Sequence, residues 1–242
     1  ATTLVLSPAG IALPGSGATP VFQPGCFASL TQAIEAARPM LANLQGKKLQ
    51  VVLAGTWGRC LLTPPVATLP GADDLTALAR QTAAEAYGPQ ALNWHTQIQA
   101  QGPGLPLIVS VIEPAWLEAL QKLASSTNKQ LESVTPLLAA CWNQSCRRVP
   151  AQASWFALTE PGRVQLLALQ QGKWVGTAST RCEAETSGLR TLLHREAQLM
   201  NRPHAEGETW VYTTFQMPPK SRHWRWNLLT AVPAQPFANL FV

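Results

Sequence analysis

The chain has 242 residues, of which 46% are apolar and 13% charged: a globular balance, long enough to bury one large core or two smaller ones. Its net charge is +5, but the Lys and Arg are scattered outside Lys47-Lys48, Arg147-Arg148 and the stretch Lys220 to Arg225, so it lacks the cation stripe that phosphate tracking needs and excludes nucleic acid as a partner. No run approaches the ~20 apolar residues that cross a bilayer.

The opening ATTLVLSPAG has no basic residues ahead of its apolar segment and is not read as a signal peptide; Ala1 fits a removed initiator Met. Residues 3–13 and 20–23 read as short strands punctuated by Pro and Gly. Ser29 then caps a helix whose apolar face is Leu30, Ala33, Ile34, Ala37, Leu41 and Leu44, with Pro39 expected to kink or restart it and Gly46 to end it. Residues 49–54 form a buried strand, and 57–63 are expected to be its antiparallel partner. Asp73 and Asp74 open a second helix with Leu75, Leu78, Ala79, Thr82, Ala86 and Tyr87 inward, closed by Gly88-Pro89. Strands at 92–99 and 105–112 flank a Gly-Pro-Gly turn, and Pro114 starts a helix with Trp116, Leu117, Leu120, Leu123 and Ala124 on its core side. Residues 131–142 return as a strand or a short helix.

The polar stretch 143–152 marks a boundary, giving a first lobe over 1–142 and a smaller second lobe over 143–242. Three strands follow at 153–159, 163–169 and 173–180, joined by turns at Glu160-Pro161-Gly162 and Gln170-Gln171-Gly172. A helix over 187–200, capped by Ser187, buries Leu189, Leu192, Leu193, Ala197 and Met200, and the last strands are 208–215 and 224–231. A strand meander, a helix and a further strand thus occur twice. Periodicity supports α/β, and the repeated order fits a two-lobed actin-like (ribonuclease H-like) fold with mixed sheets and flanking helices.

Four stretches carry a resemblance: VVLAGTWGRCLLTPP (51–65), ADDLTALARQTAAEAYG (72–88), WHTQIQ (94–99) leading to IVSVIEPAWLEALQKLASSTNKQLESVTPLLAACWN (108–143), and SWFALTEPGRVQLLALQQGKWVG (154–176). In this order they resemble the actin-like cytoplasmic family of type IV pilus M proteins and type II secretion L proteins. The resemblance implies a cytoplasmic scaffold at the inner-membrane face, docked to the cytoplasmic tail of an inner-membrane assembly-platform protein and to the assembly ATPase. Actin-like ATPases hold Mg-nucleotide between two hairpins, each with an Asp followed by glycines. Here the matching places read Ser7-Pro8-Ala9-Gly10 and Thr159-Glu160-Pro161-Gly162, without Asp and with a proline that removes an amide donor. The implied nucleotide site is therefore degenerate, and no cofactor is expected.

Chemistry-bearing constellations are sparse. Cys26, Cys60, Cys141, Cys146 and Cys182 lack framework spacing and read as reduced thiols. Cys141 and Cys146 lack the second pair or nearby His that zinc needs. His95, His194, His204 and His223 are dispersed, and His194-Arg195-Glu196 reads as a solvated helix face. No Walker loop, Gly-x-Ser-x-Gly elbow or Rossmann glycine pattern occurs, so the chain reads as a binding component and not an enzyme. Rival readings are an actin-like ATP-binding protein with a non-standard site and a small-molecule-binding domain.

Nine tryptophans supply the interface candidates. Trp116, Trp155 and Trp210 sit in core-like runs, whereas Trp57, Trp94 and Trp174 near strand ends are expected to be half-exposed. Trp224 and Trp226 flank Arg225, and in a strand they would share one face while the arginine took the other. Trp and Arg are enriched at interface hot spots. Two partner-binding surfaces follow: Trp57 with Arg59 on the first lobe, where family M proteins hold a partner peptide, and Trp224, Arg225 and Trp226 on the second.

Overall fold

The strand β1 (Thr2–Ser7) is buried along almost its whole length, as only a central strand covered on both faces can be. It turns at Pro8-Ala9 into β2 (Gly10–Leu13), which pairs antiparallel with β1 and with β3 (Val21–Pro24). On its other side β1 pairs parallel with β4 (Lys48–Leu53), and β4 pairs parallel with β8 (Gln130–Pro136). The sheet order is β3-β2-β1-β4-β8.

The computed structural model describes residues 1–14, 21–181, 186–199, 208–213 and 225–229. The chain divides into two compact units, the first spanning Ala1–Ala140 and the second opening at Cys141. The second unit repeats the plan of the first. An antiparallel meander of β9 (Trp155–Glu160), β10 (Arg163–Gln170) and β11 (Lys173–Arg181) is extended beyond β9 by the parallel strands β12 (Glu208–Thr213) and β13 (Arg225–Leu228). Its order, β11-β10-β9-β12-β13, matches the first sheet strand for strand. Each unit thus holds a mixed sheet with helices packed on it, as expected of each half of an actin-like fold.

Helices α1 (Leu30–Ala42) and α3 (Pro114–Ser126) cover one face of the first sheet, with Leu30, Ile34, Leu41, Leu120 and Leu123 packed on Leu4, Leu6, Val51 and Leu53. The Gln32 amide donates to Ser29 Oγ at 3.3 Å, the expected cap. Pro39 does not restart α1, which runs on through it to Ala42. It sits on the exposed side, where the Glu35 carbonyl that loses its helical donor can turn to water. Asn43 ends the helix before Gly46 is reached. In the second unit α5 (Thr186–Leu199) buries Leu189, Leu192, Leu193 and Ala197 against Trp155, Leu166 and Val211. Ser187 lies inside its first turn instead of capping it, and Met200 falls outside the described residues.

Between β4 and α3 the first unit carries an insertion. It holds β5 (Arg59–Leu62), α2 (Ala72–Tyr87), a 3-10 turn (Pro89–Asn93), β6 (His95–Gln99) and β7 (Ile108–Ile112). The strands form an antiparallel sheet of order β5-β7-β6, covered on one face by α2 through Ala79 and Ala83 against Trp94, Val109 and Val111. Ala83 takes the inward position expected of Ala86, which is exposed. The expectation that 57–63 pairs with β4 is corrected. β1 and β8 occupy both edges of β4, and a tight turn, in which the Trp57 and Gly58 amides donate to the Ala54 carbonyl at 2.8 and 2.7 Å, sends the chain out of the sheet. The stretch 131–142 proves to be both things expected of it, β8 and then α4 (Leu137–Ser145).

Candidate functional site: a groove along a sheet edge

Gly58 closes the turn between the two sheets of the first unit because nothing larger fits: a Cβ there would lie 2.8 Å from both Leu53 Cβ and the Leu53 carbonyl oxygen and 3.0 Å from Pro136 Cα. Above this floor runs a groove of about 380 Å³. One wall is the insertion sheet, through His95, Gln97, Ser110 and Ile112; another is α3, through Leu117 and Gln121; the third is β8. Four consecutive residues of β8, Leu131 to Val134, line it. Ser133 and Val134 follow the irregularity at Glu132 and point to opposite faces, yet both line the groove, so it follows the strand's edge and not one of its faces. Among the described residues no strand pairs with β8 on that side.

The groove is nearly uncharged. His95 and Glu132 are the ionisable residues lining it, and Glu132 already accepts from Lys48 Nζ at 2.6 Å and Gln50 Nε2 at 2.9 Å. The Lys48 ammonium holds that carboxyl below its usual range, with Gln50 adding to the effect. Glu132 is also the extra residue of a bulge, between the pairs Leu49↔Leu131 and Gln50↔Ser133. Beside the groove Cys60 faces Ser110 at 3.9 Å, and burial pushes its thiol up to about 12, which keeps it protonated at neutral pH.

Of the partner-binding candidates, Trp57 and Arg59 come together beside the groove floor but are committed inward. Trp57 is 3% exposed in the core of the first unit. Trp94 and Trp174, also expected to be half-exposed, are buried too, Trp94 against Ala79 and Ala83 of α2 and Trp174 edge-on to Trp142 of α4. The Arg59 guanidinium lies 4.4, 4.7 and 5.7 Å from the ring centroids of Tyr87, Trp94 and Trp116. Its Nη2 is 3.8 Å from Glu113 Oε1. Arg225 and Trp226 lie on β13, the last strand of the second sheet, in register with Glu208 and Thr209; Trp224 falls outside the described residues. Sequence reasoning missed the groove, whose walls come from three separated segments. The His194-Arg195-Glu196 run is not a fully solvated face, since Glu196 is buried and accepts from Arg195 Nη2 at 2.7 Å.

The two hairpins are structurally closed. In the first, Ser7 Oγ donates to the Gly10 carbonyl at 2.9 Å, while the Pro8 and Ala9 carbonyls accept from Phe27 and Gly25 amides at 2.8 and 3.2 Å. In the second, buried Glu160 accepts from Gln165 Nε2; burial, with a smaller push from the Glu160 charge, raises the Cys141 thiol well above its usual range. Among the described residues no three of His, Cys, Asp and Glu converge as metal ligands, and no helix is long and apolar enough to cross a membrane.

No protein-family model matches the chain, and no curated protein shows significant similarity to it. Solved structures do. The chain is similar to the cytoplasmic domain of EpsL, an inner-membrane component of the type II secretion system of Vibrio cholerae, with TM-score 0.61 and 12% identity over 96% of this chain and 89% of that one. It is similar to a Bacteroides thetaiotaomicron protein of actin-like ATPase fold, with TM-score 0.61 and 11% identity over 89% of this chain and 82% of that one. A chain of the PilM-PilN type IV pilus biogenesis complex matches with TM-score 0.57 and 11% identity over 85% of this chain and 68% of that one. The chain has the actin-like fold, and the structures it resembles include members of the pilus and secretion family that its sequence suggested.

Proposed function

We propose that this protein is a scaffold component of a type IV pilus or type II secretion assembly platform, working at the cytoplasmic face of the inner membrane. In this reading the groove of the first unit holds the cytoplasmic tail of an inner-membrane partner in extended form. The observation that carries it is the run of Leu131 to Val134 along the groove. An edge strand offers outward amides and carbonyls to an added strand, whose main chain supplies affinity and whose side chains select. A nearly uncharged lining favours a tail segment of neutral polar and apolar residues over a charged one. The likeness to the EpsL domain and to a PilM-PilN complex supports the setting.

The test is fluorescence anisotropy with labelled peptides made from the cytoplasmic tails of inner-membrane proteins encoded beside this gene. Gln121→Trp, a change at an exposed α3 residue lining the groove, should weaken binding at least tenfold without changing the melting temperature. The double variant Trp224→Ala/Trp226→Ala should bind like the wild type. The reverse outcome would move the docking surface to β13, and no binding by any tail would sink the scaffold reading.

A further inference from the structure

The insertion joins the rest of the first unit through two short crossovers. One is the turn Ala54 to Gly58 out of β4; the other is Glu113, between the end of β7 and the start of α3. Both border the groove, through Gly58 and Ile112. A rotation about these crossovers would move the insertion sheet relative to α3 and β8, and so widen or narrow the groove between them.

One side chain spans this joint. Arg59 opens β5 directly after the turn. Two of the rings around its guanidinium belong to the insertion, Tyr87 at the end of α2 and Trp94 at the entry to β6, and they stack on each other at 5.4 Å. The third ring, Trp116, belongs to α3, whose N-cap is Glu113, the carboxylate beside the same guanidinium. Trp116 in turn packs against the core of the first unit. A planar, weakly hydrated guanidinium suits such a box, since it keeps its charge while stacking on aromatic faces. A lysine ammonium has the charge but not the plane.

We propose that Arg59 is a positioning residue: the latch that fixes the insertion sheet against α3 and sets the width of the groove. The consequence for partner binding rests on the docking reading above; the latch itself does not. Cys60 is the natural reporter, because it is 8% exposed and sits across from Ser110 on the groove wall. Cys141, buried in the second unit, is the control.

In the full chain, alkylation by N-ethylmaleimide at pH 8 is followed residue by residue with peptide mass spectrometry. Arg59→Met should label Cys60 at least tenfold faster than wild type, Arg59→Lys by a smaller factor, and Cys141 at an unchanged rate in both. Simple destabilisation would instead speed up both thiols together. If Arg59→Met does not fold, Tyr87→Leu removes one wall of the box and should show the same selective rise. Folded variants that label Cys60 at the wild-type rate, or label both thiols faster, overturn the latch. A selective rise without any tail binding by the wild type leaves the latch standing and removes the docking reading; tail binding with unchanged Cys60 labelling does the reverse.

Discussion

At Gly58 the limit on residue size is set by space, not by backbone twist, for the closest neighbours of a methyl group there are the Leu53 main chain and Pro136 Cα, neither of which can swing away. Gly58→Ala should therefore cost about 1–3 kcal/mol, the usual range for overpacking a tight site, read as a lowered urea midpoint with unchanged slope. An unchanged midpoint would mean that the turn yields. Cys60 supports a pH prediction. Its ordinary value of 9.0 is raised to about 12 by burial, so the unfolded chain ionises this thiol first. The contribution is complete below pH 9 and declines as pH rises toward 12, with a slope of at most ~1.4 kcal/mol per pH unit for one thiol. Cys141 moves in the same direction. Urea unfolding at stepped alkaline pH should show this decline, and Cys60→Ala should flatten it; equal slopes would exclude Cys60 as a contributor. Residues whose roles depend on near neighbours in sequence were legible beforehand, as Ser29 was. The roles of Gly58 and Arg59 depend on Pro136 and Trp116, which local patterns cannot bring near.

Among the elements, α1 shows how a sequence rule is overridden. Pro39 interrupts the hydrogen-bond ladder, yet Ala33, Ile34, Ala37 and Leu41 keep the helix seated on the sheet around it. Most of a helix's stability in a protein comes from such packing rather than from propensity. Because Pro39 faces solvent, Pro39→Ala should restore a helical bond without disturbing the core. Stabilisation of about 1–3 kcal/mol is expected, less than the full ~3 kcal/mol propensity gap because alanine loosens the unfolded chain. Differential scanning calorimetry checks it, and a lowered melting temperature would show that the proline is needed at that position. Most strands of the first unit were legible, with 131–142 left open between strand and helix, but strand partnership was not. β5 reads as the return arm of a hairpin because it follows a tight turn. Only the count of strands on each edge of β4 reveals that no place is left for it.

On the scale of the whole molecule, the recurrence of a meander, a helix and a further strand was the feature most open to sequence reading, since it needs only the succession of elements, whereas the order of the strands within each sheet did not follow from it. What succession also locates is the first hairpin of each unit, β1 to β2 and β9 to β10, and there the two units fail in the same way. Each turn carries a proline, Pro8 or Pro161, where a phosphate-binding loop needs amide donors, and neither carries an Asp to position a metal. Several of their other polar groups are already engaged. Ser7 is bonded to Gly10, and the Pro8 and Ala9 carbonyls to Phe27 and Gly25. Glu160 is bonded to Gln165 and buried beside Cys141. A buried carboxylate at that place would also repel a triphosphate. Mg-ATP is therefore predicted to give no binding heat in isothermal calorimetry and no rise in melting temperature at millimolar concentration. Glu160→Gln, which removes the repelling charge, should not create binding, because the missing amides and metal-positioning acids remain missing. Micromolar affinity in the wild type would show that nucleotide is held by groups other than these hairpins and would return the chain to the ATP-binding class.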